Sequence, residues 1–135
     1  LQIGRQSFED LELISYSCPT ISGAKIEPNK SVVTGGDTLT ITAELLNGTA
    51  ETVTLNEYII MDYAGIYFFY PTWSSLSEFQ TVTLQPEQEL EQEIFSFTWP
   101  QGIGAIDRIA FWIYLIDADT GMKFGHDGRC EFAAM

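Results

Sequence analysis

The side chains able to do chemistry in this chain are few, and their spacing is poor for it. Asp117, Asp119 and Gly121 spell DxDxG, a fragment of a calcium-loop pattern whose hard oxygens suit Ca²⁺, but the later Glu of such a loop is missing. The same residues build hairpin turns, because Asp and Gly accept turn geometry, and the turn is the reading adopted. Asp107 and Asp127 would join a cation site only if the fold gathered their loops. Glu87, Glu89, Glu91 and Glu93 alternate through EQELEQE. On a strand they would line one face, either as a cation ladder or, more ordinarily, as a charged edge that blocks unwanted strand pairing. His126 is the only histidine, next to Asp127 in GHDG. With no second histidine and no GxSxG, neither a zinc set nor a nucleophile setting is visible. No catalytic residue, cofactor or metal site is assigned, and the chain is not read as an enzyme.

Cys18 and Cys130 lie near opposite ends. Their spacing excludes a CxxC redox or metal motif. In an oxidising compartment they would tie the first strand to the last, and closing so long a loop stabilises by about 4–5 kcal/mol less strain. Two separate buried thiols are the alternative. Asn29-Lys30-Ser31 and Asn47-Gly48-Thr49 fit the N-glycosylation pattern in turn-like positions where a glycan would have room.

The elements that carry these groups read as strands. Across 135 residues, 45% hydrophobic and 13% aromatic, there is material for a single domain, 1–135, with a proper core. No apolar stretch reaches the ~20 residues of a membrane helix, so no membrane insertion is expected. The net charge of −13 repels phosphate backbones, which argues against nucleic acid as a partner. Residues 39–45 (LTITAEL) alternate cleanly: Leu39, Ile41, Ala43 and Leu45 face one way, Thr40, Thr42 and Glu44 the other. Val53 and Leu55, and Val82 and Leu84, also point inward. In IFSFTW the expected core side chains are Phe95, Phe97 and Trp99. Residues 11–18 and 23–27 supply the first edge. Turn signals between such runs give an all-β protein, an immunoglobulin-like or fibronectin-like antiparallel β-sandwich of about seven to nine strands.

Two runs break the usual inside–outside rule. Residues 58–73 read YIIMDYAGIYFFYPTW, and residues 109–116 read IAFWIYLI. Strands apolar on both faces need a second cover. The reading makes them central neighbours in one sheet. Ile109, Phe111, Ile113 and Leu115 take the core, and Trp112 and Tyr114 the outer face. Tyr63, Tyr67, Phe69 and Trp73 share a parity if their strand is regular; a bulge at Gly65 would shift it.

The segments IYFFYPTWS, TVTLQPEQELEQEIFSFTWP and FWIYLIDADTG resemble immunoglobulin-like β-sandwich modules found in secreted bacterial surface proteins. The resemblance runs from about Thr34 to the C-terminus and implies the fold and a secreted, cell-surface location. Such modules have no common activity to carry over. A start at Leu1 without Met or a signal peptide fits a secreted protein after cleavage, and equally a trimmed chain.

The expectation is therefore a non-catalytic extracellular structural protein whose partners are copies of itself, with a surface filament as the form of assembly. Its interface would use Tyr63, Tyr67, Phe69, Trp73, Trp112 and Tyr114. The N-terminal segment 1–20 would add an edge strand, or donate one, with Leu1 and Ile3 on one side of an alternating stretch. The alternative is a carbohydrate-binding or adhesive module in which the same aromatics stack on glycans.

Overall fold

The computed structural model describes residues 21–102 and 104–135, which form nine strands. They are β1 (Gly23–Pro28), β2 (Val32–Val33), β3 (Thr38–Leu46), β4 (Val53–Tyr63), β5 (Ile66–Phe69), β6 (Gln80–Leu84), β7 (Glu89–Thr98), β8 (Ile106–Asp117) and β9 (Gly128–Ala134). One sheet has the order β1-β3-β7. The other has the order β2-β9-β8-β4-β5, with β6 also on β4. All pairings are antiparallel except β2 with β9. The protein is an immunoglobulin-like β-sandwich, with the two-sheet Greek-key layout of that class. No helix among the described residues is long and apolar enough to cross a membrane.

The period-2 pattern builds the core as read. Leu39, Ile41, Ala43 and Leu45 of β3 are fully buried, and meet Leu55 and Ile59 of β4 and Phe111, Ile113 and Leu115 of β8. Each fully buried aliphatic or aromatic side chain contributes roughly 1.5–3 kcal/mol. At one corner β1, whose Ala24 and Ile26 enter the core, is also held by backbone bonds. The Ala24 N–H donates to the His126 carbonyl at 3.0 Å, and the His126 N–H to that of Ser22 at 3.2 Å. Only glycine fits at Gly125, where φ is +70° and a Cβ would lie 2.3 Å from the Ser22 oxygen.

Three expectations need correction. Residues 58–69 are not one strand. Ala64 and Gly65, with φ of 55° and 83°, make a two-residue turn between β4 and β5, pairing Tyr63 with Ile66. Both signs are those of a type I′ hairpin, and Gly65 is its tip rather than a bulge. The irregularity lies elsewhere, in β7. The register against β3 shifts between Ile41 and Thr42, so Ile41 faces Phe95 while Thr42 faces Glu93. The extra residue, Ile94, enters the core, and Phe97 is left 40% exposed at the sandwich end. Third, Asn47 offers a glycan no room, because it is fully buried. Its Nδ2 donates to the carbonyls of Glu51 (2.7 Å), Gln85 (3.0 Å) and Leu84 (3.3 Å). Its Oδ1 accepts from the N–H (3.0 Å) and hydroxyl (2.7 Å) of Thr49. Asn29 is exposed, but its side chain bonds the backbone of Thr38 and Thr40. The expected strand over 11–18, and Leu1, Ile3 and Cys18, lie outside the described residues.

The Asn47 network generates a stability prediction. Asn47→Ala strands buried carbonyls and a backbone N–H, and is expected to lower unfolding free energy by about 2–4 kcal/mol in urea titrations. A loss below 0.5 kcal/mol would contradict the network.

Candidate functional site: the outer face of the six-stranded sheet

Side chains alternate across a strand, so one β4–β8 register defines two faces. The face turned away from the core carries Tyr58, Ile60 and Asp62 of β4. Opposite these stand Tyr114, Trp112 and Ala110 of β8. The hairpin adds Phe69 beside Ile60 and Tyr67 beside Asp62. On the other side, β9 places Arg129 beside Trp112 and Glu131 beside Ala110.

The rings form a row. Tyr58 stacks on Tyr114 with centroids 4.9 Å apart and planes 3° from parallel, and Phe79 packs on Tyr58 at 5.1 Å. Burial first, then the Tyr58 ring beside it, holds the Tyr114 phenol above its ordinary range. The Arg129 guanidinium lies 4.8 Å from the centre of Trp112, a cation–π contact. It is also bonded to Glu131 at 2.7 Å, and Arg108 reaches the same carboxylate at 3.8 Å. Between the rings runs a groove of about 330 Å³ lined by Ile60, Asp62, Tyr67, Phe69, Trp112 and Tyr114. Asp62 Oδ1 accepts the Gly65 N–H at 3.0 Å, fixing the hairpin tip beside the groove. Trp112 is 42% and Tyr67 53% exposed.

Of the residues singled out from the sequence, Tyr67, Phe69, Trp112 and Tyr114 meet on this face. Tyr63 does not. It continues the core-side parity of Ile59 and Met61, opposite Ile109 of β8, and is exposed at the end of β4. Trp73 is not on the face either. Following the cis Tyr70–Pro71 bond, it turns between the sheets and packs edge-on against Phe95 and Phe111, both at 5.9 Å. Cys130 pairs with Phe111 and packs against the core, where burial pushes its thiol up to about 11. Its expected partner, Cys18, lies outside the described residues.

The groups considered for chemistry are otherwise engaged. Asp117 Oδ1 accepts the N–H groups of Asp119 (2.8 Å) and Thr120 (3.1 Å), which is turn geometry. Asp107 stands at the opposite end of β8. Glu89, Glu91 and Glu93 lie on the exposed face of β7, an edge strand, whereas Glu87 belongs to the preceding turn. His126 is exposed, and its backbone pins β1. Among the described residues, no three His, Cys, Asp or Glu side chains gather as a metal set.

One titratable group escaped the sequence reading. Glu57 sits on the core side of β4, fully buried. The Gln92 amide nitrogen, oriented toward it, lies 2.6 and 3.2 Å from its two oxygens. Burial raises its pKa to about 7 against a partial lowering by Gln92. Within the run VTLNEYII, Glu57 shares the parity of Val53, Leu55 and Ile59, and that was the signal available. Tyr58, Ile60 and Asp62 were missed as face residues for a related reason. A two-residue turn puts odd positions after it on the face of even positions before it.

No protein-family model matches this chain, and no curated protein does. Solved structures match its shape. The CARDB domain of a Pyrococcus furiosus protein, solved in complex with di-metal ions, aligns over 90% of this chain and 97% of that one, with TM-score 0.56 and 13% identity. β-Glucuronidase 2 of Bacteroides uniformis aligns at TM-score 0.45 and 14% identity, over 82% of this chain but 12% of the enzyme. Spo0M, a sporulation control protein of Bacillus subtilis, aligns at 0.42 and 17% identity, over 85% of this chain and 49% of that protein. The CARDB match shows the fold.

Glu57 makes stability depend on pH with a defined sign. Its folded pKa, about 7, lies above the ordinary 4.5. The folded state therefore holds the proton more tightly, and the stabilisation is complete below about pH 4.5. It is lost as pH rises through 7, by on the order of 3 kcal/mol. Glu57→Gln keeps the shape and cannot ionise. The difference in stability between Glu57→Gln and wild type is expected to grow from pH 5 to pH 8. Parallel pH profiles for the two proteins would refute the assignment.

Proposed function

We propose that this chain is a non-catalytic, secreted structural protein that associates with copies of itself at the cell surface through the outer face of its six-stranded sheet. The observation that carries this reading is the exposed aromatic row, which no described part of the chain covers. Exposed apolar patches of this kind, rimmed by charged groups such as Arg129, Glu131 and Asp62, mark interaction sites. The opposite face of the sandwich supports it by contrast. There Lys25, Glu27, Glu44, Glu89, Glu91 and Glu93 project outward, with Lys25 3.8 Å from Glu44. Two such acidic faces repel, so association through the aromatic face has no competitor on the other sheet. Secretion rests on the resemblance to secreted modules. The di-metal ions belong to the Pyrococcus furiosus domain and form no part of this reading.

A second reading has its own support. The groove between Tyr67, Phe69, Trp112 and Tyr114 is concave and flanked by Asp62. Rings floored by apolar side chains and rimmed by polar groups suit a glycan. Trp73, packed between the sheets, contributes nothing to such a platform.

Light scattering of the intact protein over a concentration series is expected to show a mass above the monomer's. Trp112→Ala combined with Tyr67→Ala is expected to weaken the face contact at least about 30-fold, the ~2 kcal/mol of a buried aromatic anchor, and to lower that mass. A monomer at every concentration would overturn the reading. Saturable quenching of Trp112 fluorescence by glycans would then favour the second.

A further inference from the structure

We propose that β6 is the acceptor edge at which a second copy of this chain adds a strand. The inference rests on the self-association reading and names a second contact for it.

The sandwich has several sheet edges, and among the described residues β6 is the longest one without a charge. β7 presents Glu89, Glu91 and Glu93. β1 carries Lys25 and Glu27 and is tied at its start to His126. β2 is two residues long. β5 is four residues long, and its Phe69 N–H and carbonyl exchange bonds with Ser74 at 2.7 and 3.0 Å, which leaves only Tyr67, next to the hairpin tip, with backbone groups facing outward. β6 reads QTVTL, with no charge and no proline, and among the described residues pairs only with β4. An uncharged, flat edge is the kind to which other chains add strands.

Backbone alternation identifies the open groups. The Ile59 carbonyl accepts from Tyr70, and the Thr54 carbonyl from Ala118 beyond β8. Odd residues of β4 therefore aim their polar groups toward β5 and β6, and even ones toward β8. Leu55 faces Val82 and Glu57 faces Gln80, so Gln80 and Val82 bond inward. Thr81 and Thr83 are left aiming N–H and carbonyl outward. None of these four groups has a backbone partner among the described residues. Their side chains do not obstruct the edge. The Thr81 hydroxyl bonds Asn56 at 3.0 Å, and that of Thr83 meets the Thr54 hydroxyl at 3.2 Å, both back toward β4.

The occupant follows from what the chain has left. Every described strand already has its place in a sheet, whereas residues 1–20 contain Leu1-Gln2-Ile3, uncharged and alternating. Beside β6, apolar side chains of that alternation would extend the core side of Val82, and polar ones the side of Thr81 and Thr83.

Proline tests the edge without touching the ladder, because it is tolerated where an edge N–H faces outward. Thr81→Pro and Thr83→Pro are expected to keep the circular dichroism of the wild type, with a urea midpoint lowered only slightly by the loss of one exposed hydroxyl bond each. In light scattering, both variants and a chain lacking residues 1–10 are expected to stop at face-paired dimers where the intact protein grows longer. A peptide of residues 1–10 is expected to cap that growth. Thr83→Lys replaces either proline variant that fails to fold. Growth that survives the edge variants or the deletion overturns strand addition and leaves the face contact standing. A monomeric intact protein overturns both.

Discussion

β4 and β8 run antiparallel without a register shift from Leu55 opposite Asp117 to Tyr63 opposite Ile109, and everything else is placed by that pairing. A slip of one residue would exchange Ile59, Phe111 and Ile113 for Tyr58, Ile60, Trp112 and Tyr114 at the core. In most sheets hydrophobic burial forbids such a slip, because the other face is polar. Here both faces are apolar, and burial discriminates weakly. Glu57 even opposes the observed register, since a slip would return its carboxyl to water. Backbone turns fix only the neighbours of this pair. The Ala64–Gly65 turn fixes β5 on β4, and the Asp117 carboxylate fixes the turn that leaves β8. Core volume supplies the rest, because Phe111 meets Phe95, Trp73 and Phe132 ring to ring.

Much of this was legible in the residues because a period of 2 is easily read. Leu39 to Leu45, and Ile109 to Leu115, gave their faces without ambiguity, and Trp112 and Tyr114 followed by exclusion. Failure came where parity is interrupted. Ile94 is an extra residue in β7, and nothing in EIFSFTW distinguishes a regular strand from a bulged one. Tyr63 and Tyr67 share a parity in the sequence but not a face, because the two-residue turn at Ala64–Gly65 reverses the alternation between them. Trp73 was misplaced for another reason. It has left the strand, with φ of +58°, and its position depends on packing between sheets that no local pattern records.

The buried polar groups show the same limit from the energetic side. Asn47-Gly48-Thr49 has the outline of a surface modification site, yet the side chain of Asn47 does the work of backbone, bridging the ends of three segments. Its five bonds to Leu84, Gln85, Glu51 and Thr49 make burial tolerable, because a buried amide without them would cost more than it contributes. Glu57 is the contrasting case. Among the described residues a single amide, Gln92, faces its carboxyl, and the unmet desolvation emerges as a raised pKa. Both residues occupy inward positions that the alternation of their strands reserves for apolar side chains.

The two sheets divide the surface into unlike halves, and charge makes the division effective. Of the outward residues of β3 and β7, the charged ones are all acidic, so this face keeps neighbouring molecules apart while the net charge of −13 keeps the protein in solution. On the aromatic face the charges are balanced locally, with Arg129 and Arg108 both on Glu131. A long-range repulsion that falls off within about 10 Å in salt therefore acts everywhere except where apolar contact can form. The uncharged β6 lies in this same aromatic sheet, at the end away from β9. The aromatic face turns away from the acidic sheet, and the edge of β6 opens at right angles to it, in the plane of its own sheet, so neither surface looks onto the carboxylates of β7.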